Sequence, residues 1–277
     1  MGTPEDAKTR ARATYNAAAD RYDNPANSFW ERFGRRTIER LNLHPGARVL
    51  DVCCGSGASA IPAAQAVGAN GFVLGVDVAE DLLTLARAKA RHLGLTQSEF
   101  RTGDMLDLGL PEFAFDAVIC VFGIFFVPDM ETAARELWRR VRPGGRLAIT
   151  TWGSRFFEPA NTAFWNAIRN VRPDLYKGFN PWDRIGDADA LRSLLVSAGV
   201  EKPEVETEEG KHSIEAAEDW WQMVLGSGYR GTIEQLDEAS RERVRRENLH
   251  FITQSQIKAV EANVIYAVAT RAPTDSA

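Results

Sequence analysis

The chain of 277 residues is long enough for one large α/β domain, or for a domain with a cap over its binding site. Its composition, with 44% hydrophobic and 26% charged residues, is typical of a globular protein in water. The formal net charge of −5 disfavours a nucleic acid as the partner, because binding a phosphate backbone needs a basic face.

The longest apolar run, residues 117–127, is too short to span a bilayer and predicts a buried strand with its exit loop. The first residues contain no apolar core of a secretion signal. The three cysteines, Cys53, Cys54 and Cys120, have no Cys-x-x-Cys or metal-ligand spacing. We therefore expect a cytoplasmic protein with reduced thiols, no membrane contact and no metal, and the oligomeric state stays open.

Two helices come first in the predicted order of elements. A polar, Ala-rich helix spans residues 5–24, and a second helix spans about residues 28–41, with Ser28 at its N-cap. From residue 45 onward strands and helices alternate, which predicts a parallel sheet with helices on both faces. The predicted strands are 49–52, 71–78, 99–103, 115–122 and 146–152, and the helices between them start near residue 58 or span 80–93 and 130–141.

After Trp152 this alternation loosens. Residues 154–186 are rich in aromatic side chains, residues 187–198 form an amphipathic helix, and residues 205–212 are a candidate sixth strand. The segment 214–256 is predicted to be helical with a break at residues 226–228, and residues 263–270 alternate as a last strand does.

The turn after the first predicted strand, Cys53-Cys54-Gly55-Ser56-Gly57, is the central feature of the sequence. Gly55 and Gly57 let the backbone approach a ligand, because they carry no Cβ. Amide N–H groups at the start of the next helix have no helical partner, and they lie at the strand ends where nucleotide-like molecules bind. A Gly-x-Gly pair alone also occurs in tight turns that bind nothing.

Acidic residues end the next two strands. Asp77 ends the second predicted strand, about 20 residues after the glycine turn. At that sequence separation a carboxylate is placed to accept hydrogen bonds from ribose hydroxyls. Asp104 is placed to accept from an exocyclic amine, or else to cap its own turn. Their neighbours Val78, Leu82, Gly103 and Met105 are predicted to pack around a flat base, and residues 120–123 to lie under the middle of the ligand.

Together these residues resemble the class I S-adenosylmethionine-dependent methyltransferases, in particular the branch of ubiquinone and menaquinone biosynthesis. The matching motifs are residues 49–57, 75–78, 103–105, 115–123 with 127–129, 142–145, and the early Tyr22-Asp23. The resemblance covers residues 10–152 well and the remainder in outline. It implies a Rossmann-like, doubly wound sheet of seven strands, mostly parallel with an antiparallel last strand, and S-adenosyl-L-methionine across its carboxyl edge.

The sequence departs from that branch at two places. Cys53 stands where the family usually has Gly, so the turn must tolerate a Cβ there. Phe125 and Phe126 stand where the quinone branch carries Arg-Asn, and the aromatic segment after Trp152 is longer than that branch needs. The second departure favours a small apolar or aromatic acceptor other than a quinone precursor.

The strand-end residues and the family resemblance together predict a cofactor-binding set. It consists of Tyr22, Asp51, Cys53, Gly55, Ser56, Gly57, Asp77, Val78, Leu82, Gly103, Asp104, Met105, Val121 and Phe122. Asp51 is expected near the amino group of the methionine moiety, with a structural cap on the turn as the alternative. Tyr22 lies two helical turns after Tyr15, so a core stripe explains both equally well. The family comparison favours Tyr22 as a residue that closes over the cofactor.

Apolar side chains are expected to line the acceptor pocket, since such pockets are mainly apolar, although core packing is the commoner role of aromatic residues. The predicted pocket residues are Phe29, Trp30, Phe125, Trp152, Phe156, Trp182 and Trp221. His212 is the one histidine expected at the end of a strand on the active edge. It is a candidate general base, with an incidental surface histidine as the alternative.

The chain is predicted to be a single domain with residues 1–44 in its lid, 45–153 as the cofactor-binding core and 154–277 as an aromatic cap with the last strands. The predicted reaction is direct, in-line transfer of a methyl group from the sulfonium to a small molecule, with alignment as the main task of the protein. The alternatives are a non-catalytic scaffold that binds S-adenosylmethionine and a nicotinamide-dependent oxidoreductase. The second lacks the last glycine of Gly-x-Gly-x-x-Gly, because Ala60 stands there.

Overall fold

The computed structural model describes residues 4–273, which form nine strands and ten α-helices. The strands are β1 Arg48–Val52, β2 Phe72–Asp77, β3 Ser98–Thr102, β4 Phe115–Val121, β5 Val141–Trp152, β6 Glu204–Glu208, β7 Lys211–Ser213, β8 Ala259–Glu261 and β9 Val264–Thr270. The helices are α1 Pro4–Tyr22, α2 Phe29–Leu41, α3 Ala60–Val67, α4 Glu80–His92, α5 Met130–Arg140, α6 Ala160–Val171, α7 Ala188–Ser197, α8 Ala217–Leu225, α9 Arg230–Ile233 and α10 Glu238–Gln254.

Seven of these strands form one sheet in the order β3-β2-β1-β4-β5-β9-β6. The first five strands of that order pair in parallel, and β9 runs antiparallel between β5 and β6. This arrangement confirms the predicted doubly wound sheet, mostly parallel with an antiparallel last strand. The carboxyl ends of β1, β2, β3 and β4 meet along one edge, as crossover connections through helices require.

Both faces of the sheet are covered, which explains why its central strands are almost wholly apolar. Val49 and Leu50 show the alternation, since successive side chains of a strand point to opposite faces. Val49 packs in the core that includes α3, and Leu50 packs in the larger core that includes α5 and the aromatic segment after β5. Both side chains are fully buried.

Aspartate side chains define where three of the helices begin. Asp129, Asp187 and Asp237 are the N-caps of α5, α7 and α10, and each accepts a hydrogen bond from the backbone N–H three residues later. Such a cap satisfies one of the N–H groups that the first turn leaves without a partner. Short polar residues in the sequence therefore set these boundaries.

The predicted sixth strand, residues 205–212, is wrong as a single element. β6 pairs with β9 in the large sheet, whereas β7 pairs with β8 in a separate two-stranded ribbon. Gly210 stands between them, where its N–H donates to Asn263 Oδ1 at 3.0 Å and its carbonyl accepts from the Ala262 N–H. These bonds redirect the chain away from the sheet.

Two further observations concern the helices. The aromatic segment 154–186 contains the helix α6, where the sequence showed no regular element. Across residues 4–273, no helix combines the length and apolar character needed to cross a bilayer.

Candidate active site

A cavity of about 120 Å³ lies at the carboxyl ends of β1, β2, β3 and β4, under helix α1. Its walls are Glu5, Lys8, Ala11, Tyr15, Tyr22, Trp30, Val52, Cys53, Gly55, Val76, Asp77, Val78, Leu82, Gly103, Asp104, Met105, Leu106, Val121, Phe122, Phe126 and Val127. The crevice outside the strand ends is the usual ligand site of an open α/β sheet.

The glycine turn forms one side of this cavity and is bonded to β2. The N–H groups of Cys53 and Cys54 both donate to the carbonyl of Val76, at 2.8 and 3.2 Å. Cys53 and Gly55 have φ of 61° and 52°, in the left-handed region that favours glycine. The turn therefore holds a Cβ at Cys53, where the family usually has Gly, at the cost of some backbone strain.

Asp77 connects two pieces of this edge through its carboxylate. Oδ2 accepts from the Gly55 N–H and Oδ1 from the Ala79 N–H, each at 2.9 Å. Burial raises the pKa of Asp77, and the backbone N–H groups oppose part of that rise. A carboxylate offers about four acceptor sites, so both oxygens can still accept a hydrogen bond from a ligand.

An ion pair joins α1 to the loop after β3 at the edge of the cavity. Lys8 Nζ lies 3.1 Å from an oxygen of Asp104 and 2.7 Å from an oxygen of Glu5. The hydrogen bonds to Glu5 and Asp104 raise the pKa of Lys8. The other oxygen of Asp104 accepts from the Leu106 N–H at 2.9 Å, so Asp104 also caps its own turn, as its alternative reading proposed.

Aromatic side chains form another part of the cavity wall. The rings of Tyr22 and Trp30 stack at 5.2 Å with an interplanar angle of 2°, and Trp30 meets Phe122 edge-on at 5.7 Å. Tyr15 packs edge-on against Tyr22 and Phe126, at 6.2 and 5.4 Å. Burial raises the pKa of both tyrosines above the usual value near 10, so their hydroxyls are neutral donors.

The structure brings most of the predicted cofactor-binding residues to this one cavity. These residues are Tyr22, Cys53, Gly55, Asp77, Val78, Leu82, Gly103, Asp104, Met105, Val121 and Phe122. Asp51, Ser56 and Gly57 are not in its wall. The Ser56 hydroxyl donates to Asp23 at 2.7 Å, and a Cβ on Gly57 would meet Ile61.

Asp51 is fully buried behind the cavity. One of its oxygens accepts from the Ser59 hydroxyl at 2.6 Å, and the other has no partner among residues 4–273. Burial raises the pKa of Asp51 to about 7. Its contact with Ser59, the N-cap of α3, fits the structural alternative in which Asp51 caps the turn.

Most of the residues predicted for the acceptor pocket lie outside this cavity. Of its seven residues, Trp30 lines the cavity, whereas Phe29, Phe125, Trp152, Phe156, Trp182 and Trp221 lie outside its wall. Several of their rings pack on one another, for example Trp152 on Phe156 and Phe156 on Trp182, both at 4.7 Å. They belong to the large hydrophobic core, where aromatic rings contribute most by burying area.

His212 also requires a correction, because it does not reach the cavity. It lies on β7, in the ribbon that leaves the large sheet, with Nε2 at 2.8 Å from the carbonyl oxygen of Ala26. Its ring meets Phe29 edge-on at 5.1 Å, and burial lowers its pKa. His212 therefore lies away from the strand ends that form the cavity, where the sequence had placed it.

Several residues of the cavity wall were not predicted from the sequence. Lys8, Ala11 and Tyr15 of α1 are among them, and their spacing of three and four positions places them on one face of the helix. That helical spacing is the sequence signal that could have identified these three residues. Val52, Val76, Glu5, Leu106, Phe126 and Val127 complete this set, and the tertiary fold brings them to the cavity. In the part of the chain that the structure describes, no group of three or more His, Cys, Asp or Glu side chains is arranged to hold a metal.

The profile of one protein family, described as the ubiE/COQ5 methyltransferase family, matches residues 6–180. The demethylmenaquinone methyltransferase of Oceanobacillus iheyensis is 30% identical over 226 residues, which are 76% of this chain and 94% of that protein. The nocamycin O-methyltransferase of Saccharothrix syringae is 35% identical over 136 residues, 49% of each chain. The 2-phytyl-1,4-naphtoquinone methyltransferase of Synechococcus elongatus is 38% identical over 136 residues, 49% of this chain and 57% of that protein.

Solved structures agree with the fold at low sequence identity. The YcgJ protein of Bacillus subtilis superposes with a TM-score of 0.57 at 15% identity, covering 88% of this chain and 100% of that one. A SAM-dependent methyltransferase of Aquifex aeolicus superposes with a TM-score of 0.53 at 23% identity, covering 69% of this chain and 89% of that one.

Proposed function

The chain belongs to the ubiE/COQ5 methyltransferase family and is an S-adenosylmethionine-dependent methyltransferase, and from this premise we propose which residues hold the cofactor and which acceptor it serves. S-adenosylmethionine supplies an electrophilic methyl group on a sulfonium. The observation that carries the proposal is the convergence of Cys53, Asp77, Asp104 and Phe122, from four strand ends, on one cavity.

The residues at the ends of β2 and β3 fit an adenosine. Asp77 has acceptor positions left for ribose hydroxyls, and Asp104 is the acceptor for an exocyclic amine. Val78, Leu82 and Met105 offer apolar surface for the base. Close approach at the turn depends on Gly55, because a Cβ there would lie 3.1 Å from the Tyr22 hydroxyl.

The aromatic wall has the task of excluding water. Tyr15, Tyr22, Trp30, Phe122 and Phe126 give the cavity a wall that is mainly aromatic. In such a site a nucleophile loses its hydration shell and is held in line with the methyl group. Alignment and desolvation are therefore the contributions that we assign to these residues.

The acceptor that we propose is an apolar, ring-bearing small molecule. Three relatives are named for demethylmenaquinone, a naphthoquinone and nocamycin, which supports this class. Phe126 lines the cavity where the quinone branch carries a polar residue, which favours a ring system other than a quinone precursor. Among the described residues, no histidine lines the cavity, so we propose a nucleophile that is acidic enough to react without one, such as a phenol or an enol.

Calorimetric titration with S-adenosylmethionine and S-adenosylhomocysteine tests the cofactor site. We expect both to bind the wild type, and Asp77→Asn to weaken binding by about tenfold to a hundredfold, because an amide replaces one carboxylate oxygen. Asp81→Asn, an exposed neighbour on α4, is the matched control and should bind as the wild type does. Equal affinities for all three proteins would remove Asp77 from the site.

The acceptor class is tested separately with cofactor carrying a labelled methyl group. A panel should contain reduced naphthoquinones, planar phenols, cyclic enols and polar amines. We expect label in the planar phenols and cyclic enols, and little in the reduced naphthoquinones or the amines. Transfer to amines alone would refute the proposed acceptor.

A further inference from the structure

Two of the three cysteines lie side by side at the carboxyl edge of the sheet, and all three are free thiols. Cys53 follows β1 and Cys120 lies in β4, which pairs directly with β1. A Cβ placed on Gly123 would lie 2.8 Å from the Sγ of Cys53 and 2.8 Å from the Sγ of Cys120. Both sulfur atoms therefore surround one point, which stays free because glycine has no Cβ.

The backbone at Cys53 directs its side chain towards Cys120. In the register that pairs Asp51 with Ile119, a continued strand would place side chain 53 on the face of those two residues, away from Cys120. Cys53 instead has a φ of 61°, a left-handed conformation that residues with a side chain adopt rarely. It packs against the same core as Cys120, whereas Cys54 packs in the core on the other face.

The spacing of these two cysteines suits a disulfide. Cys53 and Cys120 are one step apart in the register of β1 and β4. Neighbouring strands lie about 4.8 Å apart and rise about 3.3 Å per residue, so such positions have Cα atoms about 6 Å apart. Disulfides join Cα atoms that are up to about 6.8 Å apart. The backbone can therefore accept the bond between these two residues without a large movement.

One of the two thiols can be reached from the cavity. Cys53 lines the wall and is partly exposed, whereas Cys120 is fully buried beside it. Hydrogen bonding to the Cys120 thiol, and then burial, hold the pKa of Cys53 well above its usual range. The thiolate is the reactive form, so the pair stays reduced until an oxidant is in excess. A cavity of about 120 Å³ admits an oxidant as small as a peroxide.

We propose that Cys53 and Cys120 form a modification site, at which a small peroxide produces one reversible disulfide. The thiolate of Cys53 attacks hydrogen peroxide, whose O–O bond breaks, so that Cys53 becomes a sulfenic acid and hydroxide is released. The Cys120 thiol then attacks that sulfur, the S–S bond forms, and the hydroxyl group leaves as water with the thiol proton. The two sulfur atoms together lose two electrons, which the peroxide gains.

This oxidation competes with cofactor binding, a part of the inference that rests on the proposed function. S-adenosylmethionine in the cavity would cover Cys53 and keep peroxide away from it. The disulfide, in turn, would draw the Cys53 side chain out of the cavity wall towards β4. Each event therefore disfavours the other, because a coupling between two sites acts equally in both directions.

Peptide mass spectrometry without a reducing agent tests the pairing. After treatment of the ligand-free protein with excess hydrogen peroxide, we expect one disulfide between the tryptic peptides that contain Cys53 and Cys120, which dithiothreitol reverses. Cys53 and Cys54 share a tryptic peptide, so Cys54→Ala is the matched control and should form the same disulfide. Cys120→Ala should leave Cys53 as the sulfenic acid. Should a variant fail to fold by circular dichroism, fragmentation of the wild-type peptide between residues 53 and 54 identifies the bridged sulfur.

The competition is measured with S-adenosylhomocysteine. At about ten times its Kd, roughly one protein in eleven is free of ligand, so the disulfide should form about tenfold more slowly. By calorimetric titration the oxidised protein should bind S-adenosylhomocysteine about tenfold more weakly, until dithiothreitol restores the affinity.

The possible results separate this inference from the proposed function. A disulfide through Cys54, oxidation of Cys53 to its sulfinic acid without a cross-link, or no oxidation at all would overturn the pairing. An equal rate of oxidation with and without bound S-adenosylhomocysteine, or an unchanged affinity after oxidation, would refute the competition. A wild type that does not bind S-adenosylhomocysteine would contradict the proposed function instead, and the peptides of the ligand-free protein would still decide the pairing.

Discussion

The carboxylate of Asp77 accepts a hydrogen bond from the Gly55 N–H at 2.9 Å, which joins the end of β2 to the glycine turn after β1. The same carboxylate accepts from the N–H of Ala79, the N-cap residue of α4. One side chain thus holds both the turn and the start of the helix that border the cavity.

Asp77→Asn is expected to lower the free energy of unfolding by about 1–3 kcal/mol. An asparagine has one acceptor oxygen, so its NH₂ group would face one of the two backbone N–H groups. Urea denaturation of the ligand-free protein measures the change, with Asp81→Asn as the control on an exposed position. An unchanged midpoint would mean that these two bonds contribute nothing net.

Gly55→Ala should reduce both stability and cofactor affinity. The φ of 52° costs a side-chain-bearing residue about 1–2 kcal/mol, and the new Cβ would lie 3.1 Å from the Tyr22 hydroxyl. Gly94→Ala separates the two effects, because Gly94 has a φ of 66° and open space around its Cβ position. We expect denaturation to show similar losses for both variants and calorimetry with S-adenosylhomocysteine to show a loss for Gly55→Ala alone. Equal affinities of the two variants for S-adenosylhomocysteine would contradict the proposal that the backbone at Gly55 lies close to the ligand.

Gly34→Ala should destabilise the protein although it lies in the middle of a helix. A Cβ there would lie 2.3 Å from the backbone carbonyl oxygen of Ala58, in the turn before α3. Alanine improves helix propensity by up to about 1 kcal/mol, and overpacking against rigid backbone costs about 1–3 kcal/mol. Thermal unfolding should therefore show a lower midpoint, with Gly178→Ala, whose Cβ meets only Tyr176 at 3.5 Å, near the wild type. A higher midpoint for Gly34→Ala would show that α2 can move away from Ala58 and so avoid the overpacking.

Asp51 should make the stability depend on pH. Burial raises its folded pKa to about 7, whereas the unfolded carboxyl titrates near 4. The folded state thus holds a proton that the unfolded state has lost, so stability present below about pH 4 is lost as the pH rises towards 7. Asp51→Asn removes this loss. From pH 4 to 8 the wild type should lose about 4 kcal/mol relative to the variant, at about 1.4 kcal/mol per pKa unit. Parallel curves of unfolding free energy against pH would refute the raised pKa.

Much of the fold and of the cofactor side of the site follows from local sequence. The strands β1, β2 and β4 are short apolar runs bounded by polar turns, and their ends carry the residues that meet at the cavity. Because parallel strands bring their carboxyl ends to one edge, Asp77 and Asp104 can be placed there from their position in the chain alone. The glycine turn can be recognised from its own residues, although bonds from Val76 and Asp77 of β2 hold its conformation.

The acceptor side could not be predicted in the same way. Phe29, Trp152 and Phe156 have the composition of a pocket wall, but their rings, from distant parts of the chain, pack directly on one another. The position of His212 depends on where the chain leaves the large sheet. Bonds between Gly210 and residues more than fifty positions away decide that point.

The sequence by itself determined the first five strands, the residues at their carboxyl ends and the resemblance to the family. The tertiary structure alone decided which aromatic rings face the cavity and which two cysteines lie side by side. The physical reason is range: strand and turn preferences act between neighbours in the chain, whereas filling a volume and satisfying a buried donor require residues that only folding brings together.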